Sequence, residues 1–181
     1  MKVFFLKKEE FLPYDKKFLY DNLYKSEKRN IEFALSRFLL DYVLKNVYNI
    51  EKYEIETVNN KPKLKNNSLC FNISHSKEIV LIGFSTSEIG VDVELIKEKN
   101  LEKFSKYFNK DFPNLISFFD FWTKYEAEIK LQNKVKCFKS LILEKNYYLT
   151  LASIKEIKKV EFYQLIKNNG DVAIKELKIE N

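Results

Sequence analysis

The chain has 181 residues, 45% of them hydrophobic and 32% charged, and a formal net charge of +6. Such a composition suits a soluble globular protein that buries a real core, as one domain or as two small lobes. No apolar run nears the roughly 20 residues of a membrane helix, and Met1–Leu6, followed at once by Lys-Lys-Glu-Glu, is too short for a signal peptide.

Cys70 and Cys137 stand far apart without Cys-x-x-Cys spacing, so reduced thiols in the cytoplasm are expected rather than a zinc site or a disulfide framework. The positive charge invites an anionic partner: nucleic acid, an acidic protein, or a multiply phosphorylated small molecule. The lysines are dispersed and no nucleic-acid-binding module is recognisable.

Taken in order, Val3–Leu6 reads as a first strand and Tyr14–Tyr24 as a helix. Glu27–Val47 reads as a longer helix with a core stripe of Ile31, Leu35, Phe38, Leu39, Tyr42 and Val43. Tyr53–Val58 alternates as a strand and turns through Asn59-Asn60-Lys61-Pro62. Leu69–Ile73 and Ile79–Ser85 read as two strands joined by a Ser74-His75-Ser76-Lys77 turn. After Glu94 a charged loop leads to a helix over Leu101–Phe108. A further helix carries Phe118, Trp122, Tyr125 and Ile129 at three- and four-residue intervals. Four strands follow, Lys139–Glu144, Tyr147–Ile154, Val160–Ile166 and Val172–Ile179, with Asn168-Asn169-Gly170-Asp171 as a hairpin turn.

The stretch Phe71–Glu94 concentrates the chemistry. It holds the only histidine and two of the three glycines. In Gly90-Val91-Asp92-Val93-Glu94, strict alternation puts Asp92 and Glu94 on one strand face and Val91, Val93 and Leu95 on the other. Acids at i and i+2 lie roughly 6.6 Å apart along a strand. Their oxygens can converge on one hard divalent cation, at about 2.1 Å each for magnesium. The plainer reading is the solvated side of an edge strand. A lone histidine such as His75 is most often structural; flanked by Ser74 and Ser76 and followed by Lys77, it also has the donors to bind a phosphate. Arg37, taken alone, reads as an ordinary exposed helix arginine.

Three segments, Asn72-Ile73-Ser74-His75-Ser76, Gly90-Val91-Asp92-Val93-Glu94 and Trp122-Thr123-Lys124-Tyr125-Glu126-Ala127-Glu128-Ile129-Lys130, occur in the order found in the 4'-phosphopantetheinyl transferases. The chain resembles the larger monomeric type of that family, which activates peptide and polyketide synthase carrier proteins. The resemblance covers roughly Glu27 to Lys130. It implies an α+β fold of two similar α/β lobes related by a pseudo-twofold, here residues 1–97 and 98–181. It implies transfer of 4'-phosphopantetheine from coenzyme A to a serine of an apo acyl or peptidyl carrier protein, by a magnesium-dependent monomer that needs neither nucleic acid nor membrane. Mg2+ would be held by Asp92, Glu94 and Glu126, with Glu126 and Lys130 catalytic. Coenzyme A would be bound by Arg37, Lys61, Pro62, Ser74, His75 and Lys130, with Lys28, and Arg29 beside it, adding to the phosphate site; Arg37 and His75 fall to the 3'-phosphate. Tyr125 stands where the family has lysine, Asn60 where it has glycine, and Gln132-Asn133-Lys134 replaces a glycine-rich stretch. The alternative from another class is a basic, non-catalytic binding module for an acidic protein or nucleic acid.

Overall fold

The computed structural model describes residues 1–12, 24–168 and 170–179. Apart from Tyr24, the helix expected over Tyr14–Tyr24 lies outside the described residues, as does Asn169 of the expected hairpin turn. The architecture is mixed α+β, with four helices and ten strands in three sheets among the described residues. No helix among them is long and apolar enough to cross a membrane.

The first strand, β1 (Lys2–Lys7), is buried on both faces because it is central: it pairs antiparallel with β5 (Ile79–Ser85) and parallel with β9 (Glu161–Asn168). β9 carries β10 (Asp171–Leu177) on its far side, and β5 carries β4 (Cys70–Ser76), giving the order β10-β9-β1-β5-β4. Alternation then assigns the two faces of this sheet to two cores. Phe4, Leu6, Val80, Ile82 and Phe84 pack against α2 (Glu27–Asn46) through Leu35, Leu39, Val43 and Leu44. Val3, Phe5, Ile79 and Leu81 face the other way, onto a three-stranded sheet of β6 (Ile89–Leu95), β8 (Tyr147–Ser153) and β7 (Cys137–Leu143). The far face of that smaller sheet is covered by α4 (Leu115–Leu131), whose Ala127 and Leu131 pack on Ala152 of β8. The layers thus run α2, five-stranded sheet, three-stranded sheet, α4.

The pairing interleaves the two halves of the chain. β9 and β10 complete the sheet begun by β1, while β6 completes the sheet of β7 and β8. Side elements fill in: a short helix α1 (Lys8–Phe11) seats Phe11, and α3 (Leu101–Phe108) leans its aromatic residues on α4. β2 (Ile55–Val58) and β3 (Lys61–Leu64) form a hairpin whose turn residues, Asn59 and Asn60, sit at φ +50° and +62°. Asparagine is the side chain that best tolerates that left-handed backbone, so Asn59 and Asn60 are accommodated in this turn.

Two expectations are corrected. Ser74, His75 and Ser76 are strand rather than turn: β4 runs to Ser76, and Lys77, at φ +48°, begins the reversal. The buried stripe of α4 is Phe119, Thr123, Ala127 and Leu131, with Phe118 beside it. Tyr125 and Ile129 are exposed, Tyr125 stacking on Phe121.

Candidate active site

The site rests on a seam between the two sheets. β4 and β6 run side by side without pairing as strands; instead the side chains of β4 bond the backbone of β6. The Val91 N–H donates to Asn72 Oδ1 (2.7 Å), Val93 N–H to Ser74 Oγ (3.2 Å) and Leu95 N–H to Ser76 Oγ (3.1 Å). Three polar side chains at i, i+2 and i+4 share one face of β4 and meet alternate amides of β6. This explains why Asn-x-Ser-x-Ser ends a strand that is otherwise apolar: buried N–H groups require acceptors.

The hydroxyls also reach the acids beside them. Ser74 Oγ donates to Asp92 Oδ1 at 3.1 Å and Ser76 Oγ to Glu94 Oε2 at 2.9 Å. Asp92 and Glu94 turn toward α4 while Val91 and Val93 enter the core between the sheets, so the predicted alternation holds. Asp92 is buried rather than solvated, which removes the plain edge-strand reading for that residue.

Gly90 lets α4 come this close. A Cβ there would lie 1.9 Å from the Ala127 carbonyl oxygen and 2.7 Å from the Leu131 nitrogen, both helix backbone. The helix can cross β6 only over a residue without a side chain. That crossing delivers Lys130, whose Nζ donates to Asp92 Oδ1 (2.7 Å), Ser74 Oγ (3.0 Å) and the Val91 carbonyl (3.2 Å). Burial nevertheless pushes the Asp92 carboxyl up to about 6, because desolvation outweighs the charge and hydrogen bond of Lys130; Glu94 adds to the rise and Ser74 opposes it. Its second oxygen, Oδ2, is buried without a hydrogen-bond partner among the described residues.

These groups form one end of a cleft of about 820 Å³, within the range of small-molecule sites. Trp122 and Glu126 of α4, Asp92, Glu94 and Lys130 line this end. The other end is lined by Arg29, Glu32, Phe33, Ser36 and Arg37 of α2 and by His75. Thr57, Asn60 and Pro62 of the hairpin form a wall. The Arg37 guanidinium lies 5.1 Å over the Phe33 ring, and its Nη1 is buried without a hydrogen-bond partner among the described residues. Burial lowers His75 below its ordinary 6.5, against the pull of Glu32 and with the help of Lys8, Lys130 and Lys28.

Of the residues singled out from sequence, the cleft gathers Arg37, Pro62, Ser74, His75, Asp92, Glu94, Glu126 and Lys130. Lys61 is not among its lining: its ammonium is buried against Glu88 Oε2 (3.1 Å) and the Ile89 carbonyl (2.8 Å). Lys28 is exposed on α2 and reaches Glu32 Oε1 at 3.8 Å. Ser74 is fully engaged in the seam, so its hydroxyl serves the acids and β6 first. Sequence reasoning passed over Glu32, a buried carboxylate inside the cation end; its only signal was the four-residue step to Ser36 on the face that also carries Arg29 and Arg37. It likewise left Asn72 unassigned.

Three of the four carboxylates that line the cleft, Asp92, Glu94 and Glu126, offer the oxygen donors a hard divalent cation takes, and Asp92 Oδ2 is buried with no hydrogen-bond partner among the described residues. Among the described residues, however, no group of three or more His, Cys, Asp or Glu side chains is arranged to hold a metal ion. Lys130 instead provides the positive charge at Asp92. No family model matches the chain, and no curated protein matches it.

Proposed function

We propose that the protein transfers 4'-phosphopantetheine from coenzyme A to a serine hydroxyl of an acidic apo carrier protein. The observation that supports this reading best is the meeting, in one cleft, of segments far apart in the chain: Arg37 from α2, His75 from β4, Asp92 and Glu94 from β6, Glu126 and Lys130 from α4. A cleft with a cationic nitrogen, Arg37 Nη1, unpartnered among the described residues on its α2 side and carboxylates on its α4 side suits a long molecule with a phosphate at one end and a reacting pyrophosphate at the other.

In this reading Arg37 and His75 bind the 3'-phosphate, while Pro62 and Thr57 border the nucleotide. The serine oxygen bonds to the pantetheine-side phosphorus, the P–O bond of the pyrophosphate breaks, and adenosine 3',5'-bisphosphate leaves. Glu126 takes the serine proton, directly or through a water; it enters the cleft with no ion-pair partner among the described residues. Lys130 turns from Asp92 to the phosphate oxygens of the leaving side. Asp92, Glu94 and Glu126 would hold Mg2+, which when bound offsets the charge that builds on the pyrophosphate. Ser74 and Ser76 hold Asp92 and Glu94 in place through the seam. The layered pair of helix-on-sheet units, α2 on one sheet and α4 on the other, is further read as the two lobes of a pseudo-twofold.

The test is to incubate the protein with coenzyme A, magnesium and a panel of apo carrier proteins, and to weigh the carriers. A gain of the phosphopantetheine mass on a carrier serine is expected. No gain on any carrier, with coenzyme A neither bound nor consumed, would count against the reading and favour a binding module.

A further inference from the structure

A carboxylate is out of place in a site that binds anions. Glu32 lines the cation end of the cleft, its side chain 8% exposed, and carries a negative charge toward any incoming phosphate. Two contacts account for it. Oε1 accepts from Lys8 Nζ at 2.8 Å, and that ammonium is itself buried at the start of α1. Oε2 lies 3.6 Å from Nδ1 of His75. That second distance exceeds a hydrogen bond and is an electrostatic contact. The His75 side chain is 47% exposed, so its remaining edge is open to a ligand.

We propose that Glu32, with Lys8 behind it, is a positioning residue for His75: it holds Nδ1–H toward itself, leaves Nε2 for the cleft, and stabilises the imidazolium that forms when a phosphate arrives. The inference rests on the coenzyme A reading only for the identity of the ligand; the Glu32–His75 coupling stands in the free protein.

The charges around the ring make this division of labour necessary. Lys28, Arg29 and Arg37 on α2, Lys8 on α1 and Lys130 on α4 all disfavour a second positive charge at His75, while Glu32 and, farther along the cleft, Asp92, Glu94 and Glu126 favour it. Among these, Glu32 gives the largest attraction. Glu32 itself remains ionised: burial would raise its carboxyl, but the Lys8 hydrogen bond and the charges of His75, Lys8 and Lys28 prevail and hold it below its ordinary 4.5. In the free protein the ring is therefore neutral at pH 7. A bound phosphate dianion adds a second negative neighbour, and the ring takes a proton from solvent at Nε2. Glu32 then sits behind a charged donor, as a carboxylate behind a histidine does elsewhere. Lys8 keeps it from repelling the phosphate.

The chain has a single histidine, so its imidazole can be followed without ambiguity. Nitrogen NMR of the ligand-free protein at pH 8 is expected to show the Nδ1–H tautomer; a dominant Nε2–H form overturns the proposal without need of any variant. In Glu32→Gln the His75 pKa is expected to fall by about 0.5 to 1 unit, since an opposite charge a few ångströms away is lost; an unchanged value overturns it. Calorimetry with adenosine 3',5'-bisphosphate in two buffers at pH 7.5 is expected to register about half a proton or more taken up per ligand by the parent protein, and less by Glu32→Gln. Equal uptake by the two proteins would sink the proposal. If the bisphosphate fails to bind at all, the coenzyme A reading falls, and the tautomer and the ligand-free titration decide the role of Glu32 by themselves.

Discussion

The two ends of the cleft are built by different means. At the carboxylate end most groups are tied to backbone or to a neighbour, Glu126 excepted: Ser74 and Ser76 to β6 amides and to the acids, Lys130 to Asp92, Ser74 and the Val91 carbonyl. At the cation end the working groups project from one face of α2 and from the outward side of β4, half-buried or exposed, and are governed by charge. Groups that must be placed to a fraction of an ångström gain from a rigid seam, while an anchor for a dianion needs mainly the right sum of charges. The two ends therefore respond differently to substitution.

Glu126→Gln should have the largest effect. It removes a base while keeping the shape, and general-base help is worth about 10² to 10⁴ in rate. Transfer measured in saturating magnesium should fall at least about a hundredfold, with coenzyme A still bound at the other end. A parental rate would break the catalytic assignment.

Asp92→Asn sharpens the comparison from the stability side. The carboxyl is raised from 3.8 to about 6 in the folded protein. The native state therefore holds the proton more tightly, and stability declines as pH rises from about 4 to 6 and stays lower above that window. Asparagine mimics the protonated form, so in chelator at pH 7.5 the variant should be more stable by up to about 3 kcal/mol. The gain should vanish below pH 4, and added magnesium should stabilise only the parent protein. Thermal melts across pH with and without the metal measure all three. A variant less stable than the parent at pH 7.5 would show that the Lys130 pairing outweighs burial.

Gly90→Ala tests the helix crossing. A Cβ 1.9 Å from a carbonyl oxygen of α4 cannot be relieved by a side-chain rotation. Overpacking of this kind costs about 1 to 3 kcal/mol, and α4 must lift, taking Glu126 and Lys130 with it. Both the melting temperature and the transfer rate should drop; an unperturbed rate would mean that the seam is less rigid than the contacts indicate.

His75→Ala belongs to the other end and should spare the chemistry. The coenzyme A requirement should rise roughly tenfold, the worth of one charge-assisted hydrogen bond, while turnover on dephospho-coenzyme A, which lacks the 3'-phosphate, stays as it was. Comparing KM and kcat on the two substrates checks this. Tyr125→Phe should do least: the ring lies on the exposed side of α4 against Phe121 and Phe108, and turnover should remain within a few-fold of the parent. A thousandfold loss in a folded protein would give the tyrosine a role in the chemistry.

Local pattern was enough for much of this. The alternation of Gly90–Leu95 put Asp92 and Glu94 on one face, the periodicity of α2 marked that helix, and α3 and the four closing strands stand within a few residues of their expected places. Such features depend on backbone period and turn chemistry, which neighbours in the chain decide. The resemblance to a known family pointed to Arg37, His75, Asp92, Glu94, Glu126 and Lys130, and they line one cleft. What nearest neighbours could not decide is which side chains answer groups distant in the chain. Ser74 and Ser76 looked like a turn because serine is common in turns; they are strand because the amides of β6, 19 residues away, need acceptors. Lys61 was expected beside the nucleotide, whereas its ammonium is held by Glu88 and the Ile89 carbonyl. Tyr125 fell on a helical stripe, yet the stripe that faces the sheet was set by where Gly90 lets α4 touch down. Glu32 shared a helix face with Arg29, Ser36 and Arg37, but its use showed only once Lys8 and His75 were beside it. A charge's partner, and with it the group's pKa and its use, is a property of the packed structure, because Coulomb energy and desolvation depend on separation in space rather than along the chain.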